Sequence, residues 1–266
     1  MGVAALLSAA VLAVTPASYV GSHQQADGGF AEPGSHSTPG LTAWAMLGLR
    51  AAGRPTGTAP DYLVANERDL QSATDIELAV MAEAATGRIS ETLFARFSAL
   101  GRQDGRIGSA INSTAWGILA YAQVGRPVKL RVSYLLSHQH RSGGWGWVAG
   151  ASPDSNDTAA VIQALRTQGV RGRPITRAIA FLRRLQNADG GFELTDGRGS
   201  DAQSTAWAIQ AFVAARITPP AHAFRYLAGL RRPDGSYRYS KKYGATPMWV
   251  TSQVLPALAR KSFPLR

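Results

Sequence analysis

The chain has no cysteine among its 266 residues. That absence removes disulfides, cysteine-ligated zinc, thioesters and cysteine nucleophiles together. Beyond the first residues no apolar run approaches the roughly 20 residues that a membrane-spanning helix needs, so no integral membrane domain is expected. Alternation with period two is also missing, which argues against strands. Negative charge is scarce: 17 acidic residues face 28 basic ones, for a formal net charge of +11. The excess is mostly arginine and much of it lies late in the chain, at Arg171, Arg173, Arg177, Arg183, Arg184, Arg225, Arg231 and Arg232, joined by Lys241 and Lys242. Such a balance favours anionic partners. Contact with an anionic surface fits it; nucleic acid does not, because no recognition motif and no interleaving of aromatic with basic residues accompanies the charge.

What the chain does have is a repeat. Six times a turn rich in Gln, Asp and Gly is followed by a short polar stretch and an alanine-rich apolar run. The turns are Gln25 to Phe30, a degenerate copy near Leu70-Gln71-Ser72, Gln103 to Ile107, Gln139 to Trp145, Gln186 to Phe192, and Arg232 to Tyr237. A spacing of roughly 35 to 47 residues is that of supersecondary units that bury their apolar faces only against one another. One closed domain over residues 18–266 is expected. Before it, the apolar run Met1 to Val14 and the small-residue exit Thr15-Pro16-Ala17 read either as a signal peptide, making the protein secreted or cell-surface, or as an apolar first helix.

Within a unit, polar residues such as Asp154, Ser155 and Asn156 suit a helix start, and Gly169 suits its left-handed stop. Thr42 to Gly53, Thr114 to Gly125 and Thr158 to Gly169 are each eleven apart, so these segments are equivalent helices of about three turns. Arg-Pro follows at Arg54-Pro55, Arg126-Pro127 and Arg173-Pro174, where proline suits the first turn of a second helix. The second helices carry one apolar stripe and a basic face; the first are apolar nearly all round. The fold class is therefore all-α: a single α/α toroid, an α6/α6 barrel, with apolar helices inside and amphipathic ones outside. On a 100° wheel Asn156, Ala160 and Gln163 share one narrow face. Its equivalents are Asn112, Trp116 and Leu119; Gln203, Trp207 and Gln210; and Trp44 with Leu47. That face is assigned to the lumen as an aromatic wall with amide rungs, the alternative being tryptophans that simply fill the core.

These residues resemble the α/α-toroid family of squalene cyclases, class II terpene cyclases and protein prenyltransferase β subunits over nearly the whole chain. The turns Gln186 to Phe192 and Gln139 to Trp145 look like that family's Gln-to-Trp motifs, in which the Gln ties outer helices to inner ones. Asp154-Ser155-Asn156-Asp157-Thr158-Ala159 is similar to the cyclases' Asp-x-Asp-Asp-Thr-Ala acid motif, whose middle Asp donates the proton. That position is Asn156 here. An amide cannot supply the acidic proton that opens an alkene or epoxide, so the resemblance implies loss of the principal catalytic group, with Asp157 and Asp154 left as candidate displaced acids. The zinc site of the prenyltransferases requires a cysteine that the chain lacks. No metal or other cofactor is expected: His138 and His140 point different ways, and His23, His36 and His222 are isolated. A glycosidase would need a converging carboxylate pair, and no spacing pairs Asp75, Glu77, Asp154, Asp157 or Asp201.

The function read from these features is a non-catalytic toroid that binds a hydrophobic or amphiphilic small molecule, an isoprenoid among the candidates, in its central cavity. Trp44, Trp116 and Trp207 would form the apolar wall and Asn112, Asn156, Gln163, Gln203 and Gln210 the polar anchors. The alternatives are a reduced class II cyclase acting through Asp157 or Asp154, and a structural or adhesion module. Because inner helices of a toroid run parallel, their positive N-terminal ends converge on one rim, and an anionic head group is expected there.

Overall fold

The computed structural model describes residues 14–126 and 128–265. Six helices form an inner ring: α2 (Pro39–Ala51), α4 (Ala73–Ala84), α6 (Ile111–Gln123), α8 (Ser155–Thr167), α10 (Ala202–Ala214) and α12 (Pro247–Leu258). Between them in the chain lie the outer helices α1 (Pro16–Gly21), α3 (Ala59–Asn66), α5 (Glu91–Ala99), α7 (Lys129–Ser137), α9 (Arg173–Arg184) and α11 (Ala221–Leu230). Each inner helix packs on the next, and α12 packs back onto α2, closing the ring. The fold is the all-α toroid that the repeat predicts. The regular strands among the described residues are two-residue segments, β1 (Phe192–Glu193) and β2 (Ser200–Asp201), paired antiparallel in one turn.

A threonine one turn into five of the six inner helices locks the unit. Its hydroxyl accepts the backbone N–H of the apolar residue that ends the preceding turn: Phe30 on Thr42 and Trp145 on Thr158 at 2.9 Å, Ile107 on Thr114 at 3.1 Å, Phe192 on Thr205 and Tyr237 on Thr251 at 2.9 Å. The degenerate second unit has Ile76 at this position. The turn glutamines do a different job from the expected one. Gln139 Nε2 donates to its own turn at Gly143 and to the Pro174 carbonyl at the start of α9, at 2.8 and 2.9 Å, and Gln24 reaches Gly28 and Thr56 in the same way. They join successive outer helices. Close approach explains the glycines there: Gly143 has φ +99°, and a Cβ would fall 2.5 Å from the Arg177 carbonyl oxygen.

Outer helices follow their stripes. α9 buries Ile175, Ala178, Ile179, Phe181 and Leu182, each large side chain contributing about 1.5–3 kcal/mol. Of the three Arg-Pro starts, Arg173 opens α9 directly, whereas α3 begins at Ala59 with Pro60 in its first turn. Residues 1–13, with most of the apolar N-terminal run, lie outside the described residues. Thr15 caps α1, which starts at Pro16, and Tyr19 and Val20 are buried in the common core. No described helix is long and apolar enough to cross a membrane.

Candidate functional site

Side chains in the N-terminal halves of the inner helices, and Gln253 at the middle of α12, bond laterally, and the helix starts share one rim, the mouth. Thr74 donates to Asn112 Oδ1 at 3.1 Å, Asn112 Nδ2 to Asp157 Oδ1 at 2.6 Å, and Gln203 Nε2 to Gln253 Oε1 at 2.9 Å. Beneath them the face picked out by the helical wheel turns to the axis, as expected. Trp44, Trp116 and Trp207 meet there with ring centroids 5.3 to 6.1 Å apart, and Trp207 Nε1 donates to Gln253 Oε1 at 2.9 Å.

The three indoles fill the lumen at this level: Trp116 is 1% exposed and Trp44 and Trp207 are 8% and 7% exposed. Deeper still, the lumen holds the chain's own tail. The Phe263 ring lies 5.8 Å from Trp116 and 6.5 Å from Trp44. Its N–H donates to Gln163 Oε1 at 2.9 Å, and Gln123 both accepts from and donates to the Leu265 backbone at 2.9 Å. Gln163, expected as a ligand anchor, thus has its acceptor engaged by Phe263. Gln210 Nε2 reaches the Gln253 carbonyl at 3.5 Å, and Gln210 Oε1 and Gln253 Nε2 have no partner among the described residues.

Open space lies at the mouth instead. A cavity of about 700 Å³ sits where α12, α2 and α4 begin, with Trp44 as part of its floor, Leu41, Leu70 and Trp249 on its walls, and Glu32, His36, Asp69 and Asp75 around them. No Lys or Arg lines it. Trp249, Gln253 and the loop residue Glu32 were not singled out from the sequence. Thr251 was the available signal, since it follows Tyr237 by 14 residues much as Thr205 follows Phe192 by 13.

The acid motif lies across the ring from this cavity, on α8. Asp154 is the N-cap, its Oδ1 accepting the Asp157 N–H at 2.8 Å. Asp157 is 4% exposed and turned toward Asn112 of α6. Burial, and then the Asp154 carboxyl beside it, push the Asp157 carboxyl up to about 8; burial also raises Asp154. Both shifts favour the protonated form of the pair. Asn156, at the position where the resemblance implies the donor, is half-buried in the first turn of α8, and none of Asp154, Asn156 and Asp157 lines the cavity. No group of side chains suited to a metal occurs among the described residues.

Five of the six inner-helix starts at the mouth are capped by side chains; α6 follows Ala110 without one. Side chains of Thr38, Ser72, Asp154 and Asp201 cap α2, α4, α8 and α10, and the Glu32 carboxylate accepts the Met248 and Trp249 N–H groups at the start of α12, at 2.9 and 2.8 Å. Three of those five caps are carboxyl groups. With the acidic lining of the cavity, this reverses the expectation of an anionic head group: the exposed potential at that point suits a neutral or cationic one.

No family model and no curated protein matches the chain. Among solved structures it superimposes on a protein from Actinoplanes (TM-score 0.71, 18% identity, 92% of this chain and 97% of that one). It also superimposes on the type II terpene cyclase MstE from Scytonema in complex with geranylgeranyl dihydroxybenzoate, its substrate (TM-score 0.69, 16% identity, 92% and 95%). A third is protein geranylgeranyltransferase-I from Candida albicans complexed with GGPP (TM-score 0.62, 10% identity, 83% of each chain). The chain has the α/α-toroid fold of the terpene cyclases and protein prenyltransferases.

Proposed function

We propose that this toroid binds a hydrophobic, isoprenoid-class small molecule at its mouth and releases it unchanged. The observation that carries the reading is the cavity of about 700 Å³ floored by Trp44 and walled by Trp249, a volume within the usual range for small-molecule sites, on the side of the ring opposite an acid motif whose donor position is Asn156. Two indole faces beside Asp69, Asp75 and Glu32 suit a polar end that is neutral or cationic, the cation being drawn to the indole faces as well as the carboxylates. Isoprenoid ligands in structures of the same fold, geranylgeranyl dihydroxybenzoate and GGPP, support the apolar part of the assignment.

Tryptophan fluorescence tests it. Titration with a long prenyl amine or alcohol is expected to change the emission saturably, and Trp249→Phe to reduce the amplitude; the diphosphate of the same chain should bind at least about tenfold more weakly, the penalty of roughly 1.4 kcal/mol that unpaired like charge brings. Silence toward all three compounds with folded protein would remove the proposal.

A second reading, a cyclase with a displaced acid, has one feature in its favour: burial and the neighbouring Asp154 raise the Asp157 carboxyl toward a proton donor's range. Against it stand the direction of that side chain, which meets Asn112, and its place outside the cavity lining.

A further inference from the structure

The rim opposite the mouth carries a cleft of about 390 Å³ bounded by the C-terminal ends of α8 and α10 and by one side of α9. Four guanidinium groups line it, those of Arg166, Arg171, Arg183 and Arg216, over an apolar floor of Ile175, Ile179 and Ile217. No carboxylate is near in the chain: residues 158–188 and 202–233, which supply the lining, contain no Asp or Glu. None of the three ion pairs among the described residues involves these arginines. Arg166 is fixed in place, its Nε donating to the Ala214 carbonyl at 3.0 Å and its guanidinium to the Val170 carbonyl at 2.8 Å. Burial, followed by Arg171 and Arg216 nearby, holds its pKa below the ordinary value.

The backbone supplies an independent observation. One residue past their C-caps, α2, α6 and α8 turn left-handed on Gly53, Gly125 and Gly169. At the same place α10 has Arg216, at φ +60°. An arginine there costs conformational energy that glycine would not. α12 repeats the substitution with Arg260, but that guanidinium lies 4.4 Å from the centroid of the Phe224 ring; Arg216 has no such partner among the described residues and lines the cleft.

We propose that this cleft is a binding site for a phosphate-bearing small molecule, its phosphoryl oxygens meeting Arg166, Arg171, Arg183 and Arg216 and its apolar part lying on Ile175, Ile179 and Ile217. Guanidinium forks match phosphoryl oxygens in geometry as well as charge. The site is separate from the mouth and independent of what binds there. Soluble phosphates and phospholipid head groups share this chemistry, so the test has two arms: calorimetric titration with inorganic pyrophosphate, and flotation with phosphatidylcholine vesicles with and without phosphatidic acid.

Arg216→Gly is the informative variant, because it deletes a cation while relieving the backbone. Its melting temperature should equal or exceed that of the wild type, and its affinity in whichever arm binds should fall at least about tenfold. Arg225→Ala, an exposed arginine of α11 outside the cleft, should change it less than about twofold. Pyrophosphate binding would identify a soluble ligand and binding to acidic vesicles alone a head group; either, with that pattern of variants, supports the site. Absence of binding in both arms, or equal loss in Arg216→Gly and Arg225→Ala, overturns it.

Discussion

Replacing Phe263 by alanine is expected to destabilise the ring by about 3–5 kcal/mol, the usual cost of emptying a large aromatic site in a packed core. The ring of Phe263 is 2% exposed, touches two of the three axial indoles, and is held by a backbone bond to Gln163. Few atoms could collapse into the space, because inner helices pack on both sides and the turn threonines hold each unit in register. Urea unfolding followed by far-ultraviolet circular dichroism measures the loss. The double variant Trp116→Ala, Phe263→Ala should lose less than the sum of the single changes, since the two rings share one contact. A cost below about 1 kcal/mol for Phe263→Ala would mean that the tail is not seated in the lumen in solution.

The second large effect is a pH dependence centred on Glu77. Its carboxyl is fully buried, and neither oxygen has a partner among the described residues. The position follows the turn-locking site of α4; after the corresponding Thr, the other inner helices carry Ala43, Ala115, Ala159, Ala206 and Ser252. Gly117 on α6 leaves the room, for a Cβ there would fall 3.1 Å from Glu77 Oε1. Burial, with Asp75 adding to it, raises the carboxyl well above its ordinary value. A raised folded-state pKa means that the native chain holds the proton more tightly than the unfolded chain. Stability is then fully present below the unfolded value, near 4.3, and is lost as pH rises toward the folded one, by up to about 1.4 kcal/mol per pH unit and group. Asp157 adds loss in the same direction up to about 8. Glu77→Gln removes one of these slopes: relative to its difference from the wild type near pH 4, it should gain increasingly by pH 8, in urea midpoints measured across that range. Parallel curves for the two proteins would show that Glu77 does not titrate with unfolding.

The ring itself could be read from the chain because most units repeat the same local chemistry: a polar cap, a threonine and an apolar turn, with a left-handed glycine after α2, α6 and α8. The wheel also identified Trp44, Trp116 and Trp207 as axial, since a 100° step is a property of one helix alone. What lay beyond it depended on contacts that no period encodes. Nothing in the spacing indicates that Phe263 returns to the axis across 100 residues to meet Gln163, and so the tryptophans could not be distinguished as a wall or a filling. They are both: the deeper indoles fill, and Trp44 forms floor. The acidic lining escaped notice because Glu32 and Asp69 come from a loop and a single 3₁₀ turn, while Asp75, in the first turn of α4, was weighed only as half of a catalytic carboxylate pair. The mouth's charge was misjudged for a related reason, as counting helix dipoles omits the side chains that cap them.

The proposed role, binding without conversion, turns on Asn156. The most direct measurement incubates the wild-type protein with linear prenyl substrates (an alcohol, an amine and squalene) and analyses the extract by gas chromatography and mass spectrometry. The expected result is recovery of each compound unchanged, because none of Asp154, Asn156 and Asp157 lines the cavity and the carboxyl of Asp157 is tied to Asn112, leaving no acid beside the bound chain to protonate it. Cyclised product from the wild type, abolished by Asp157→Asn, would contradict that role and make this protein an enzyme with a displaced acid.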